Sequence, residues 1–222
     1  MEKGNISIHT ENIFPIIKKW LYSDKDIFVR ELISNGCDAV HKLKRLTSLG
    51  EAKVEEDNAY KIVVKVNKDK KILSFSDNGI GMTAEEIEKY ITQVAFSGAE
   101  DFVKQYKESE DEGKQIIGHF GLGFYSAFMV SDKVQIDTLS YKEGAKAVKW
   151  ICDGGTEYEI GDSNEQKSRG TTITLYINEE SSEFLDNYKV RSVIEKYCSF
   201  MPVEIFFEDE CAEKKDEEKE TP

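Results

Sequence analysis

The chain has 222 residues, 39% of them hydrophobic and 11% aromatic, enough to bury one large core or two small ones. Its 43 acidic residues outnumber 30 basic ones, and the resulting charge of -13 repels a phosphate backbone, which argues against nucleic acid as a partner. No stretch approaches the roughly 18 to 20 consecutive apolar residues of a membrane span, and Met1-Glu2-Lys3-Gly4-Asn5 lacks the apolar core of a signal peptide, so the expected location is the cytoplasm, away from membranes. Cys37, Cys152, Cys198 and Cys211 form no Cys-x-x-Cys pair and have no histidine spaced to complete a zinc site, so reduced thiols are expected.

In chain order, Ser23 is the expected N-cap of a helix running to about residue 46. Period-2 alternation and β-branched residues predict strands over 61–67 and 72–76, joined by a short Lys68-Asp69-Lys70 connection. Thr83 with Glu86 reads as a capping box ahead of a second helix reaching toward residue 106, and the polar segment 107–115 as a mobile loop. Further strands are predicted over 133–139, 146–152, 156–160, 171–177 and 203–207, with a helix over 183–200. The short connections imply antiparallel pairing. The expected fold class is α+β, a two-layer sandwich of a mostly antiparallel sheet of about eight strands with helices on one face. Residues 1–207 read as one domain, and the Asp, Glu and Lys run of 208–222 as a solvated linker where a longer protein leaves its first domain.

Four blocks stand out. At about 100° per residue, Glu31, Asn35 and Asp38 fall within roughly 60° of arc, at the border of an apolar face formed by Phe28, Val29, Leu32, Ile33, Ala39, Val40 and Leu43. The stripe is either a partly desolvated site or the edge of a solvated face, where Lys42, Lys44 and Arg45 are placed. Asp77-Asn78-Gly79-Ile80-Gly81-Met82 is a strand-to-helix turn in which two glycines would let backbone approach a ligand while Asp77 accepts a hydrogen bond from an exocyclic amine. Gly118-His119-Phe120-Gly121-Leu122-Gly123-Phe124 is a glycine hinge or a phosphate cradle before an apolar run; its order matches neither a dinucleotide fingerprint nor a P-loop. Arg169-Gly170-Thr171-Thr172-Ile173 opens a late strand, where Thr171 either points a hydroxyl into a pocket or serves β-propensity alone.

In this order the four blocks resemble the motifs of the ATPase superfamily of DNA gyrase, mismatch-repair ATPases, sensor histidine kinases and heat-shock protein 90 chaperones. Phe28-Val29-Arg30-Glu31-Leu32-Ile33-Ser34-Asn35, with Asp38-Ala39, is closest to the chaperones, in their bacterial form. The resemblance implies a Bergerat-type ATP-binding fold, binding of ATP or ADP with Mg²⁺, and ATP hydrolysis, slow in the isolated domain, driving the conformational cycle of a homodimeric chaperone that assists unfolded client proteins. It also implies roles: Glu31, with Arg30 beside it, for catalysis; Asn35 for Mg²⁺ and nucleotide; Asp77, Gly81, Met82 and Thr171 for the adenine; Asp38, Ser97 and Gly98 as further nucleotide contacts; and Gly118 to Phe124, through His119, Phe120, Gly121, Leu122 and Gly123, for the phosphates. Family members complete catalysis with an arginine from a following domain. The chain departs from the pattern at Tyr90, at Phe96 (commonly lysine), at His119, and at Gly36 and Cys37 inside the first helix. A DNA-topology or repair ATPase, or a nucleotide-binding signalling module without hydrolysis, are the alternatives.

Overall fold

The computed structural model describes residues 24–53, 59–92, 123–155 and 157–211. Among them, seven strands form one sheet: β1 (Lys61–Asn67), β2 (Ile72–Asp77), β3 (Ser131–Leu139), β4 (Val148–Cys152), β5 (Tyr158–Asp162), β6 (Gly170–Ile177) and β7 (Glu204–Asp209), in the order β5-β4-β3-β6-β2-β1-β7. Neighbours pair antiparallel except β1 and β7, which run parallel. All seven predicted strand segments are present with ends shifted by no more than two residues, and the described residues hold seven strands where about eight were expected.

Strand alternation decides which face is covered. Ile62, Val64, Leu73, Phe75, Val134, Ile136 and Leu175 are buried on one side, against helix α1 (Ile27–Ser48), which lays Phe28, Leu32, Ile33 and Val40 onto them. Phe28 meets the rings of Phe75 and Phe184 edge-on, at centroid distances of 6.2 and 4.9 Å. Gly36 explains how close the layers come: a Cβ there would lie 3.1 Å from Ile62 Cδ1 and 3.4 Å from Asp77 Cβ. Its propensity cost of about 0.5–1 kcal/mol is small beside the roughly 1.5–3 kcal/mol from burying each large neighbour such as Phe28 or Ile33.

Helix boundaries differ from expectation for local reasons. α1 begins at Ile27, with Asp26 already helical and without a side-chain cap; Asp24 Oδ1 accepts the Asp26 N–H at 3.0 Å, and Ser23 lies outside the described residues. The capping box forms as predicted on α2 (Ala84–Tyr90): Thr83 Oγ1 accepts the Glu86 N–H at 3.3 Å, and Glu86 Oε2 accepts the Thr83 N–H at 2.8 Å. However, α2 stops at Tyr90, where β-branched Ile91 and Thr92 follow and the Thr92 hydroxyl bonds back to the Glu88 carbonyl. The expected continuation toward residue 106 and the loop 107–115 lie outside the described residues. The helix expected over 183–200 is divided into a 3₁₀ segment (Glu179–Leu185) and α3 (Asn187–Cys198), because Asp186 caps the latter by accepting the Lys189 N–H at 3.0 Å.

Replacing Thr83 by Ala removes one half of the capping box and leaves the Glu86 N–H without its partner. Urea denaturation should show a loss of about 1 kcal/mol, within the usual 0.5–2 kcal/mol for a cap; an unchanged midpoint would show that α2 is held by its packing alone.

Candidate functional site

β2 delivers Asp77 to the helix-covered face at the end of the sheet beside α1. Part of the residue's surface stays accessible, yet its carboxyl is enclosed by protein, and burial pushes its pKa from 3.8 up to about 7. The opposing influences are weaker: the Gly79 N–H donates to Asp77 Oδ1 at 2.8 Å, and the Arg169 guanidinium and the Thr171 backbone stand nearby. The turn that follows is fastened on both sides. The Ile80 N–H donates to the Ala39 carbonyl of α1 at 3.1 Å, the Ile80 carbonyl accepts the Tyr141 N–H at 2.9 Å, and Arg169 Nη1 donates to the Gly79 carbonyl at 3.4 Å.

Both glycines of this turn are required. A Cβ on Gly79 would stand 2.6 Å from the Ala39 backbone, and Gly81 combines a φ of +63° with a Cβ position 1.9 Å from the Leu139 carbonyl oxygen. No side chain fits where backbone meets backbone at these distances.

On α1 the predicted stripe forms. Glu31 and Asn35 are half-buried and Asp38 is buried. Burial raises the Glu31 carboxyl above its ordinary value against the pull of the Arg30 guanidinium, which lies 3.9 Å away and is exposed. Among the described residues the Asn35 amide makes no hydrogen bond. Its amide oxygen is the kind of donor a hard cation takes. Lys42 was assigned to the solvated face, and the structure corrects this. Desolvation lowers its ammonium below the usual lysine range, while the carboxylates of Asp38 and Glu86 pull it back up. The signal was available, because eleven residues after Glu31 the helix has turned back to within about 20° of the same line.

The third block reaches the first, and the fourth lies beside the second. Gly123 opens a 3₁₀ segment (Gly123–Met129), and a Cβ on it would lie 2.5 Å from Glu31 Oε2, so the backbone runs directly against the carboxylate. Phe124 packs its ring into the core against Tyr125, Phe128 and Trp150, leaving its backbone as what it can present to a ligand. Ser97, Gly98, Gly118, His119, Phe120, Gly121 and Leu122 lie outside the described residues, as does Phe96. Thr171 stands opposite Asp77 in the β2–β6 register and is buried; Met82 is half-buried against the core, its N–H donating to Thr138 Oγ1 at 3.0 Å. Thr138, bonded to Thr171 at 2.9 Å, was not singled out from the sequence.

The raised Asp77 carboxyl gives a signed stability effect. Between about pH 4 and pH 7 the folded protein holds a proton that the unfolded chain has released, so ionising Asp77 weakens the fold increasingly over that window and fully above it. At 1.36 kcal/mol per unit the penalty is on the order of 4 kcal/mol. Asp77→Asn, which keeps an oxygen for the Gly79 N–H, should raise the ligand-free melting temperature by several degrees at pH 8, with the gain shrinking toward pH 4; a gain independent of pH would refute the buried-carboxylate origin.

Residues 23–154 match the model of the family described as histidine kinase-, DNA gyrase B-, and HSP90-like ATPases. The chain is 56% identical over 207 residues to the chaperone protein HtpG of Bacteroides fragilis, strain YCH46, covering 93% of this chain and 29% of that protein. It is 51% identical over 206 residues to the HtpG of Porphyromonas gingivalis, strain W83, with shares of 93% and 29%. Against the HtpG of Rickettsia typhi the figures are 37% over 211 residues, 95% and 34%. The chain therefore spans about a third of the length of these relatives.

Proposed function

Because the chain belongs to the family of histidine kinase-, DNA gyrase B-, and HSP90-like ATPases, we propose that it binds ATP between α1 and the turn after β2, hydrolyses it, and thereby drives the conformational cycle of a molecular chaperone. The observation that carries this reading is the pair of raised carboxyls on one helix–sheet cleft, Asp77 enclosed beside Gly36 and Glu31 pressed against Gly123, with the free amide of Asn35 between them in sequence. The similarity to HtpG chaperones along nearly the whole chain supports the choice of chaperone within the family.

Each residue then has a task. Asp77 accepts a hydrogen bond from the adenine amine, and Gly81 and Met82 bring backbone and thioether to the base, with Thr171 beside them. Glu31, its basicity increased by burial, orients and deprotonates the attacking water, and Arg30 limits how far that basicity rises. Asn35 would hold Mg²⁺, which supplies charge neutralisation to the phosphate oxygens when bound. Asp38 and Lys42 set the charge at the far end of the stripe. The glycine run ending at Gly123 cradles the phosphates through its backbone N–H groups, and Ser97 and Gly98 add further contacts. The ATP-binding domain runs to the end of β7 at Asp209, two residues past the limit of 207 expected from the sequence, and the residues after it act as the start of a linker to a following domain that completes catalysis, in a homodimer acting on unfolded client proteins in the cytoplasm.

Glu31→Ala in the complete protein should leave ADP affinity within a few-fold and reduce hydrolysis by about 10²–10⁴-fold. Asp77→Asn should abolish ADP binding in calorimetry with Mg²⁺ present. Undiminished turnover in the first variant, or undiminished affinity in the second, would overturn the assignment.

A further inference from the structure

Asp77, Thr171 and Thr138 stand side by side in one row across β2, β6 and β3, all on the face that α1 covers. Thr138 is fully buried, and its hydroxyl oxygen meets three partners. The Gly170 carbonyl lies at 3.0 Å, the Met82 N–H at 3.0 Å, and the Thr171 hydroxyl at 2.9 Å. A threonine hydroxyl has one proton and two acceptor sites. The carbonyl of Gly170 only accepts, so the single Thr138 proton goes there; the Met82 N–H only donates, so it takes one acceptor site. The remaining acceptor site is left for Thr171, whose proton must point at Thr138.

We propose that Thr138 is a specificity-determining positioning residue, which fixes the polarity of the Thr171 hydroxyl so that the Asp77 carboxylate and Thr171 together present only acceptors to the base. This rests on the adenine-pocket reading and deepens it. A purine with a 6-amino group meets acceptors with its donors. A 6-oxopurine brings a carbonyl against a carboxylate and a threonine oxygen that has no proton to spare, in place of the two amine protons they accept, and its own N1–H lies one ring position away. Met82, the residue assigned to the base, is fastened to the same hydroxyl, so the lock also holds the turn that carries Gly81 in position.

The test is calorimetry at pH 8, where Asp77 is a carboxylate, on the complete protein with Mg²⁺, comparing ADP with inosine diphosphate, the 6-oxo analogue. Wild type should prefer ADP by about 100-fold or more. Thr138→Ser, which keeps the hydroxyl, should retain that ratio within about threefold, whereas Thr138→Val frees the Thr171 rotor to donate and should narrow it by about tenfold. Thr171→Val gives an independent sign should Thr138→Val not fold. With a locked acceptor removed the ratio narrows, while loss of a freely rotating hydroxyl that had served the 6-oxo group would widen it. An unchanged ratio in folded Thr138→Val, or a widened one in Thr171→Val, overturns the lock while leaving ADP binding intact. A wild type without ADP affinity would instead remove the nucleotide reading beneath it.

Discussion

The distance between α1 and the end of β2 is the constraint on which the rest depends. Gly36 brings the helix to within van der Waals contact of Ile62 and Asp77, and one turn later Ala39 receives Gly79 so closely that only a hydrogen atom fits between the backbones. The Ile80 N–H then bonds the Ala39 carbonyl, which lets backbone donor and acceptor satisfy each other where water has no room. With this spacing Asp77 loses enough hydration to titrate near neutrality. A helix set farther out would leave an ordinary surface aspartate, and the row formed with Thr171 would open to solvent.

That spacing also shows how stability and chemistry oppose each other in this fold. Both raised carboxyls, Glu31 and Asp77, owe their shift first to burial, and the cationic groups near them, Arg30 and Arg169, compensate only in part. Enclosing charge without full pairing costs folding free energy, and sites that perform acid–base or recognition chemistry are where such costs persist. The surrounding core of Phe28, Phe75, Phe184 and the Phe124–Trp150 cluster supplies the apolar burial that tolerates it.

What was legible in the sequence was what is local. Strands such as β1, β2 and β4 were readable because alternate residues are buried, and the capping box at Thr83 and Glu86 because both partners lie within four residues. The turn at Asp77 to Met82 could be read for the same reason. Lys42 was missed because a lysine among Lys44 and Arg45 reads as solvated, although its angle on the helix places it with Glu31 and Asn35; its burial, and the part of its environment that Glu86 adds to Asp38, come from other elements. Thr138 was invisible because its role exists only through registers that align three strands, and a threonine in a strand is otherwise unremarkable. The early end of α2 and the break at Asp186 were likewise hidden, since side chains there bond to the backbone in place of the helical partners.

The parallel pairing of β7 with β1 has a mechanical side. Six residue pairs, from Lys61 with Glu204 to Val66 with Asp209, join the two strands, and Glu208 is also tied to Lys65 at 2.6 Å. A pull on Asp209 along the strand axis therefore loads these bonds together, in shear. Tension passes through β1 to β2, whose opposite end carries Asp77, so the strand that anchors the outgoing chain is one strand away from the cleft.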